Sequence, residues 1–261
     1  MWNPDQYHRF QRERSRPFFD LVNQIDAVAP RAVADLGCGS GELTATLLDR
    51  WPEATIWGID SAAAMLDKAA AHAVPSRLSF VQADLAAWTP PAPLDVIVAN
   101  ASLQWVDDHP RLMRRLVAAL APQGWLAFQV PVGNQAHRIL RTLRSEPRWV
   151  DQVGPDRVQS SDRALTAAAY IELLTDLGCT VSAWETTYMQ LLQGENAVME
   201  WTKGTCVHPI LAALSEAEQT EFLAEYGRHL LEAYPPAGYG TLFPFPRLFV
   251  VARRLDSIDS D

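Results

Sequence analysis

Between residues 31 and 131, five apolar runs alternate with segments of helical spacing, and this rhythm constrains the fold more than any other feature of the chain. AVADL (32–36), ATIWGID (54–60), RLSFVQAD (77–84), LDVIVAN (94–100) and QGWLAFQVP (123–131) are mostly apolar rather than strictly alternating. Strands covered on both faces of a parallel sheet read this way. Between them, GELTATLLDRW (41–51), a stretch from about 62 to 73 and HPRLMRRLVAAL (109–120) have helical spacing; Leu43, Leu47 and Leu48 share one side of the first. Repeated strand–helix–strand units of this kind build an α/β fold.

The second half is less regular. A helix is expected over 135–150 and another in TAAAYIELLTDLG (166–178), stopped by its glycine. CTVSAWETTYMQLL (179–192) alternates like a strand. Residues 195–234 read as helical, with Ser215 and Glu218 spaced as a capping box. After the turn-rich YPPAGYGTLFPFP, RLFVVARR (247–254) is expected to be the last strand and LDSIDSD a frayed acidic tail.

A chain of 261 residues with 48% hydrophobic and 20% charged residues can bury a full core, and one domain with insertions is expected. Its net charge of -9 disfavours nucleic acid or an acidic membrane as partner, since those surfaces need clustered Lys and Arg. A small molecule fits better. Cys38, Cys179 and Cys206 are far apart and form no CxxC pair, and the six histidines show no metal spacing, so no metal is expected. MWNPDQYHRF lacks the order of a signal peptide and no apolar run reaches membrane-spanning length, which points to reduced thiols in the cytoplasm.

The turn after the first apolar run asks for a ligand. In VADLGCGSG, Gly37, Gly39 and Gly41 read G-x-G-x-G, and Asp35 stands two residues ahead of the first. Glycines at the carboxyl end of a strand let a bound group reach the backbone. A carboxylate at Asp35 repels a pyrophosphate and attracts an ammonium, which tilts the choice from a dinucleotide toward an amino-acid-bearing nucleoside. A plainer alternative is that Asp35 bonds the backbone amides of the turn. Asp60 ends the second run, where an acid accepts from both ribose hydroxyls, and Asp84 ends the third, placed to accept from an exocyclic adenine amine.

VADLGCGSG, WGIDSAAAML, FVQADL and LDVIVANASLQW together resemble the successive motifs of the class I S-adenosylmethionine (SAM)-dependent methyltransferases. WNPDQY and ERSRP near the N-terminus and FPRLFVVARR near the C-terminus extend the likeness over nearly the whole chain, toward the branch that esterifies small tricarboxylic acids such as trans-aconitate. The resemblance implies a Rossmann-like, seven-stranded, mostly parallel sheet of order 3-2-1-4-5-7-6, strand seven antiparallel, with helices on both faces and a helical insertion. It implies one methyltransferase domain over 1–261, with an N-terminal cap segment (1–30), a SAM-binding core (31–131) and a helical lid (193–242) before the last strand. SAM is the implied cofactor and S-adenosylhomocysteine (SAH) its product. Residue by residue, Gly37, Gly39 and Gly41 hold the methionine part. Asp60 and Ser61 take the ribose, Met65 packs near the nucleoside, Asp84 and the Leu85 backbone take the adenine, and Asn100 and Ala101 line the sulfonium side.

Methyl transfer from SAM is an in-line displacement that mainly needs alignment, and a carboxylate acceptor is already ionised at neutral pH. No catalytic base is therefore expected. Gln104 and Trp105, after the fourth run, are expected to position the acceptor, although a Trp capping the core is the plainer alternative. An anionic acceptor needs local arginines. Arg9, Arg12 and Arg16 share one face if the N-terminus is helical, and Arg14 and Arg247 are further candidates; Arg16 and Arg247 stand beside prolines in the recognised motifs. A solvated helix face is the alternative for each. Trp2 and Tyr7 are expected to close over the site, or else to anchor the N-terminus. His109 reads as opening the helix after the fourth run rather than touching substrate; Tyr188, Trp201 and Tyr239 could line the acceptor pocket, with packing the plainer reading, and Cys38 reads as a small filler rather than a nucleophile. Two other functions remain open from the residues alone: carboxyl methylation of a malonyl group on a carrier protein, and a non-catalytic SAM- or nucleotide-binding module.

Overall fold

The computed structural model describes residues 11–153, 163–203 and 206–256, with the side chains of all but 11–14 and 208–209. The elements run α1 (Gln11–Val22), β1 (Ala32–Leu36), α2 (Glu42–Arg50), β2 (Thr55–Asp60), α3 (Ala63–Ala69), β3 (Leu78–Gln82), β4 (Leu94–Asn100), α4 (His109–Ala119) and β5 (Leu120–Pro131). Next come α5 (Gln135–Arg144), α6 (Pro147–Val153), α7 (Ala167–Asp176), β6 (Cys179–Leu192), α8 (Ala197–Lys203), α9 (His208–Leu211), α10 (Glu216–Ala233) and β7 (Thr241–Arg254). The strands form one sheet in the order β3-β2-β1-β4-β5-β7-β6. The pairs β1–β2, β1–β4, β2–β3 and β4–β5 are parallel, and β7 runs antiparallel to β5. This is the order and sense that the family resemblance implied.

Burial explains why the central strands are apolar throughout. Val33, Ala34, Leu36, Val96, Ile97, Val98 and Ala99 are all buried, because β1 and β4 have neighbours on both edges and helices flank the sheet. The chain leaves β1 for β2 on one side, while β4 leads to β5 on the other. Strand order therefore reverses between β1 and β4, and their carboxyl ends, Leu36 and Asn100, flank the crevice where open α/β sheets take ligands.

Four boundaries differ from expectation, each for a local reason. The helix expected over 135–150 is two helices: Pro147 has no N–H and opens α6, while Ser145 caps α5. The helical span 195–234 is interrupted into α8, α9 and α10, and the Ser215–Glu218 capping box opens the last of them. β5 begins at Leu120, because an irregularity between Leu94 and Val96 with Gln123 at φ 63 absorbs the turn residues. β7 begins at Thr241 rather than at 247. Pro244 and Pro246 have the same parity, so the donors they lack fall on one edge and the other edge stays available to β6.

Residues 15–131, 163–186 and 247–256 form one compact unit, which contains the crevice. The described residues among 132–162 and 187–246 belong to a second. Its core is aromatic: Trp201 packs on Phe245 at 5.2 Å, Tyr234 on Phe243 at 5.4 Å, and Trp149 on Phe222 at 5.2 Å. Here Tyr226 and Tyr234 tie α10 to the start of α5: the Tyr226 hydroxyl donates to the Ala136 carbonyl, and the Ala136 N–H donates to the Tyr234 oxygen. No described helix is long and apolar enough to cross a membrane.

Gly58, in the middle of β2, lets the Phe80 ring of β3 come close to the backbone. A Cβ there would meet that ring at 2.6 Å and the Cβ of Cys38 at 3.1 Å. Gly58→Ala is expected to lower the unfolding free energy by about 1–3 kcal/mol, the usual cost of overpacking, in urea titrations; Phe80→Leu in the same background should recover part of the loss.

Candidate cofactor and acceptor site

The site begins where β1 stops. Gly37 turns the chain with φ 81, and the N–H groups of Gly37 and Cys38 both donate to the Ile59 carbonyl at the end of β2, at 2.7 and 3.0 Å. Packing demands glycine at two of the three positions. A Cβ at Gly37 would overlap the Ser102 side chain, and one at Gly41 would meet Phe80 at 2.6 Å. Gly39 differs. Its φ is 57, yet a Cβ would meet only the Met65 methyl group, at 3.4 Å, so space is open for a ligand to touch backbone there. Cys38 is buried and its thiol is pushed far up by burial, which suits a filler in the turn.

Asp60 fastens this turn from the end of β2. Its Oδ2 accepts from the Gly39 N–H at 2.9 Å and its Oδ1 from the Ala62 N–H at 2.9 Å. Each carboxylate oxygen offers a second lone pair, so a half-buried Asp60 can hold the turn and still accept from two hydroxyls. Ser61 beside it is exposed, and its carbonyl accepts from Gln82 Nε2 at 3.2 Å. β3 ends at Gln82, two residues short of the expected Asp84. Asp84 is exposed and caps the following turn: its Oδ1 accepts from the Ala86 N–H at 2.8 Å, which draws the chain out of the sheet past the half-buried Leu85.

Asp35 is buried in the middle of β1's register, opposite Gly58 and Val98. Its Oδ2 accepts from the Thr44 hydroxyl of α2 at 2.6 Å. The turn's amides go to Ile59 and Asp60 instead, so the alternative that Asp35 bonds them is not what the structure has. Burial pushes its carboxyl up to about 6, against the pull of the Thr44 hydroxyl, and the Asp60 charge adds to the rise.

On the other side of the crevice, Asn100 and Gln129 are register partners on β4 and β5. Gln129 Nε2 donates to Asn100 Oδ1 at 2.6 Å, and Arg247 Nη1 of β7 donates to Gln129 Oε1 at 3.3 Å. Arg247 and Gln129 are buried and Asn100 is half-buried. Ala101 follows with φ 55, a left-handed conformation that costs an L-residue roughly 1–2 kcal/mol. Four bonds hold this corner: Ala101 N–H to the Gln129 carbonyl at 3.0 Å, Gln104 Nε2 to the Ala101 carbonyl at 2.7 Å, the Ser102 hydroxyl to the Leu36 carbonyl, and Trp105 N–H to the Ser102 carbonyl at 3.1 Å. The structure thus separates the pair expected to face the acceptor. Gln104 is buried and turned to Ala101, whereas the Trp105 side of the loop faces solvent at 50% exposure, not the core. His109 is buried, opens α4, and its Nδ1 meets the Tyr170 hydroxyl at 2.5 Å.

Of the remaining expected residues, Arg16 lies on the exposed side of α1, 3.7 Å from Asp20. Trp2, Tyr7 and Arg9 lie outside the described residues, as do the side chains of Arg12 and Arg14. Tyr188 and Trp201 are buried, and Tyr239 is 61% exposed.

The profile of a methyltransferase domain matches residues 33–124, from β1 to the start of β5. The chain is 47% identical to the trans-aconitate 2-methyltransferase of Streptomyces avermitilis, over 97% of each chain. It is 45% identical to that of Mycolicibacterium gilvum, over 97% of this chain and 99% of the other. The chain belongs to the trans-aconitate 2-methyltransferase family. Among solved structures the family member has the fold of the YcgJ protein of Bacillus subtilis, with a TM-score of 0.57 at 11% identity over 91% of this chain and 97% of that one. The plantazolicin methyltransferase BpumL, solved with SAH, matches at a TM-score of 0.54 and 15% identity over 96% of this chain and 88% of that one. It is thus a class I SAM-dependent methyltransferase in sequence family and in fold.

Sequence reasoning gave no role to three residues of this methyltransferase's site and did not foresee the backbone of a fourth, Ala101. Gln129 is a polar residue inside an apolar strand, which is a readable mark once noticed. Thr44 and Ser102 act through contacts that only the fold creates, and Ala101 gives no hint of a left-handed backbone. Asp35 generates a pH test. Its carboxyl is raised in the folded chain, so its contribution to stability is full below about pH 4 and is lost as pH rises through about 6. Asp35→Asn removes that loss. The variant should gain on the parent by up to roughly 3 kcal/mol at about pH 7.5 and keep little of that advantage near pH 4, in paired urea titrations.

Proposed function

We propose that this chain transfers the methyl group of SAM to a carboxylate of trans-aconitate or a close tricarboxylic relative, giving the methyl ester and SAH. The observation that carries the reading is a buried arginine, Arg247, linked through Gln129 to Asn100 at the carboxyl end of β4, across the switch point from a glycine turn bounded by acids. An Arg fork matches a carboxylate, and burial strengthens the attraction in a chain whose net charge is otherwise -9.

The residues present fit SAM. The open space above Gly39 admits the methionine part against bare backbone, and Gly37 and Gly41 shape the turn. Asp35, once ionised, supplies the charge complementary to an ammonium, and Asp60 accepts from the ribose hydroxyls with Ser61 beside it. Asp84 and the Leu85 backbone take the adenine edge, with Met65 packing by the nucleoside. Bound SAM supplies an electrophilic methyl carbon on a cationic sulfur. Everything else falls to the chain: Asn100 and Ala101 line the sulfur side, Trp105 bounds the acceptor's path, Gln104 holds the loop that carries it, and Arg247 and Arg16 attract the acid. In the same reading the enzyme works in the cytoplasm. Cys38, Cys179 and Cys206 are buried thiols that form no disulfide, which supports that compartment.

Incubation of the protein with labelled SAM and a panel of di- and tricarboxylic acids should yield a labelled ester, fastest with trans-aconitate. Labelling only of amines, phenols or a malonyl carrier protein would overturn the proposal. Asp60→Ala is expected to weaken SAM binding by about 1–3 kcal/mol in titration calorimetry, the scale of hydrogen bonds to a charged group; an unchanged affinity would remove its role at the ribose.

A further inference from the structure

Three side chains on adjacent strands form a hydrogen-bond chain whose direction is forced by its buried end. Arg247 has donors and no acceptor, so the oxygen of the Gln129 amide must face it; the distance is 3.3 Å. The Gln129 nitrogen then faces Asn100 and donates to Oδ1 at 2.6 Å. Asn100 therefore has its oxygen turned inward and its Nδ2 as the outer arm of the amide. That nitrogen has no acceptor among the described residues, and Asn100 is half-buried at the end of β4, beside the strained Ala101.

We propose that Gln129 is a positioning residue: reading its orientation from Arg247, it fixes Asn100 as a hydrogen-bond donor toward the acceptor's carboxylate. The inference rests on the proposed function for the identity of the anion, and adds why the site selects one. Were the amide of Asn100 free to turn over, its oxygen would face the cleft half the time and repel a carboxylate oxygen. Gln129 is 1% exposed and Arg247 6%, so water does not compete for the bonds that set the direction. The register makes the arrangement a property of the sheet: Asn100 lies opposite Gln129, and Pro131, two residues on, lies opposite Arg247.

A double-mutant cycle tests the relay, read by calorimetric titration of trans-aconitate into the SAH-loaded protein. Asn100→Ala removes the donor and Gln129→Met removes its orientation without changing charge. Each single variant is expected to weaken acid binding about tenfold, and the double variant about tenfold as well, because both changes remove one interaction. SAH affinity should stay within about twofold of the parent's in the Gln129 variants, since the relay acts on the acceptor; Asn100 also lines the sulfur side, so Asn100→Ala is compared in the acid titration alone. Should Gln129→Met leave Arg247 too poorly satisfied to fold, Gln129→Glu keeps it paired, and its two acceptor oxygens would draw Asn100 Nδ2 inward with the same loss. Additive losses of about a hundredfold, an unchanged acid affinity in either Gln129 variant, or a parallel fall in SAH affinity in a Gln129 variant would each overturn the relay. If the parent itself binds no acid, the proposed function has failed and the relay with it, an outcome distinct from a parent that binds and variants that match it.

Discussion

The site depends on one corner of backbone, the hydrogen-bonded seam between the glycine turn after β1 and the end of β2. Ile59 gives its carbonyl to two successive N–H groups of the turn, and Asp60 gives one carboxylate oxygen to a third. These bonds exist only because β1 and β2 are parallel and in register through Leu36 and Ile59. Left-handed glycines alone would make a flexible loop; the seam makes it a fixed cradle. Its geometry decides where the methionine part of a cofactor can rest, and so where a methyl group points.

The opposite wall is built on a different principle. After β4 the chain enters a left-handed residue at Ala101 and leaves its loop through another at Asp108, whose carboxylate caps α4. Neither is glycine: the Ala101 conformation is enforced from outside by Gln129, Gln104 and the Ser102 bond to Leu36, and Asp108 is held by the Arg111 N–H that it caps. Strain at such a corner is retained when surrounding structure over-determines it. The two walls are joined directly, since Ser102 occupies the space that a side chain at Gly37 would fill.

The parallel core was legible because burial on both faces leaves a mostly apolar run, and the boundaries of β1 and β4 follow the expectation to the residue. Boundaries failed where the cause is tertiary. β3 stops early because Asp84 caps a turn, and β7 starts early because two prolines of equal parity spare one edge of the strand. The acids were legible as candidates by their place at strand ends. Their division of labour was not: Asp60 is shared with backbone amides, while Asp35 is buried against Thr44, a partner nine residues away that only the α2 packing brings to it. Gln129 was missed because it works through a cross-strand neighbour; Ala101 was expected at the site, but its left-handed backbone is a dihedral angle that leaves no pattern in a one-dimensional string.

Trp105 is the one exposed tryptophan among the described residues, at 50%, while Trp149 and Trp201 are buried. Indoles in these two settings emit at different wavelengths. The loop after β4 therefore carries its own optical reporter: a ligand that covers this indole at the wall of the cleft shifts its emission to the blue, without any dye or tag.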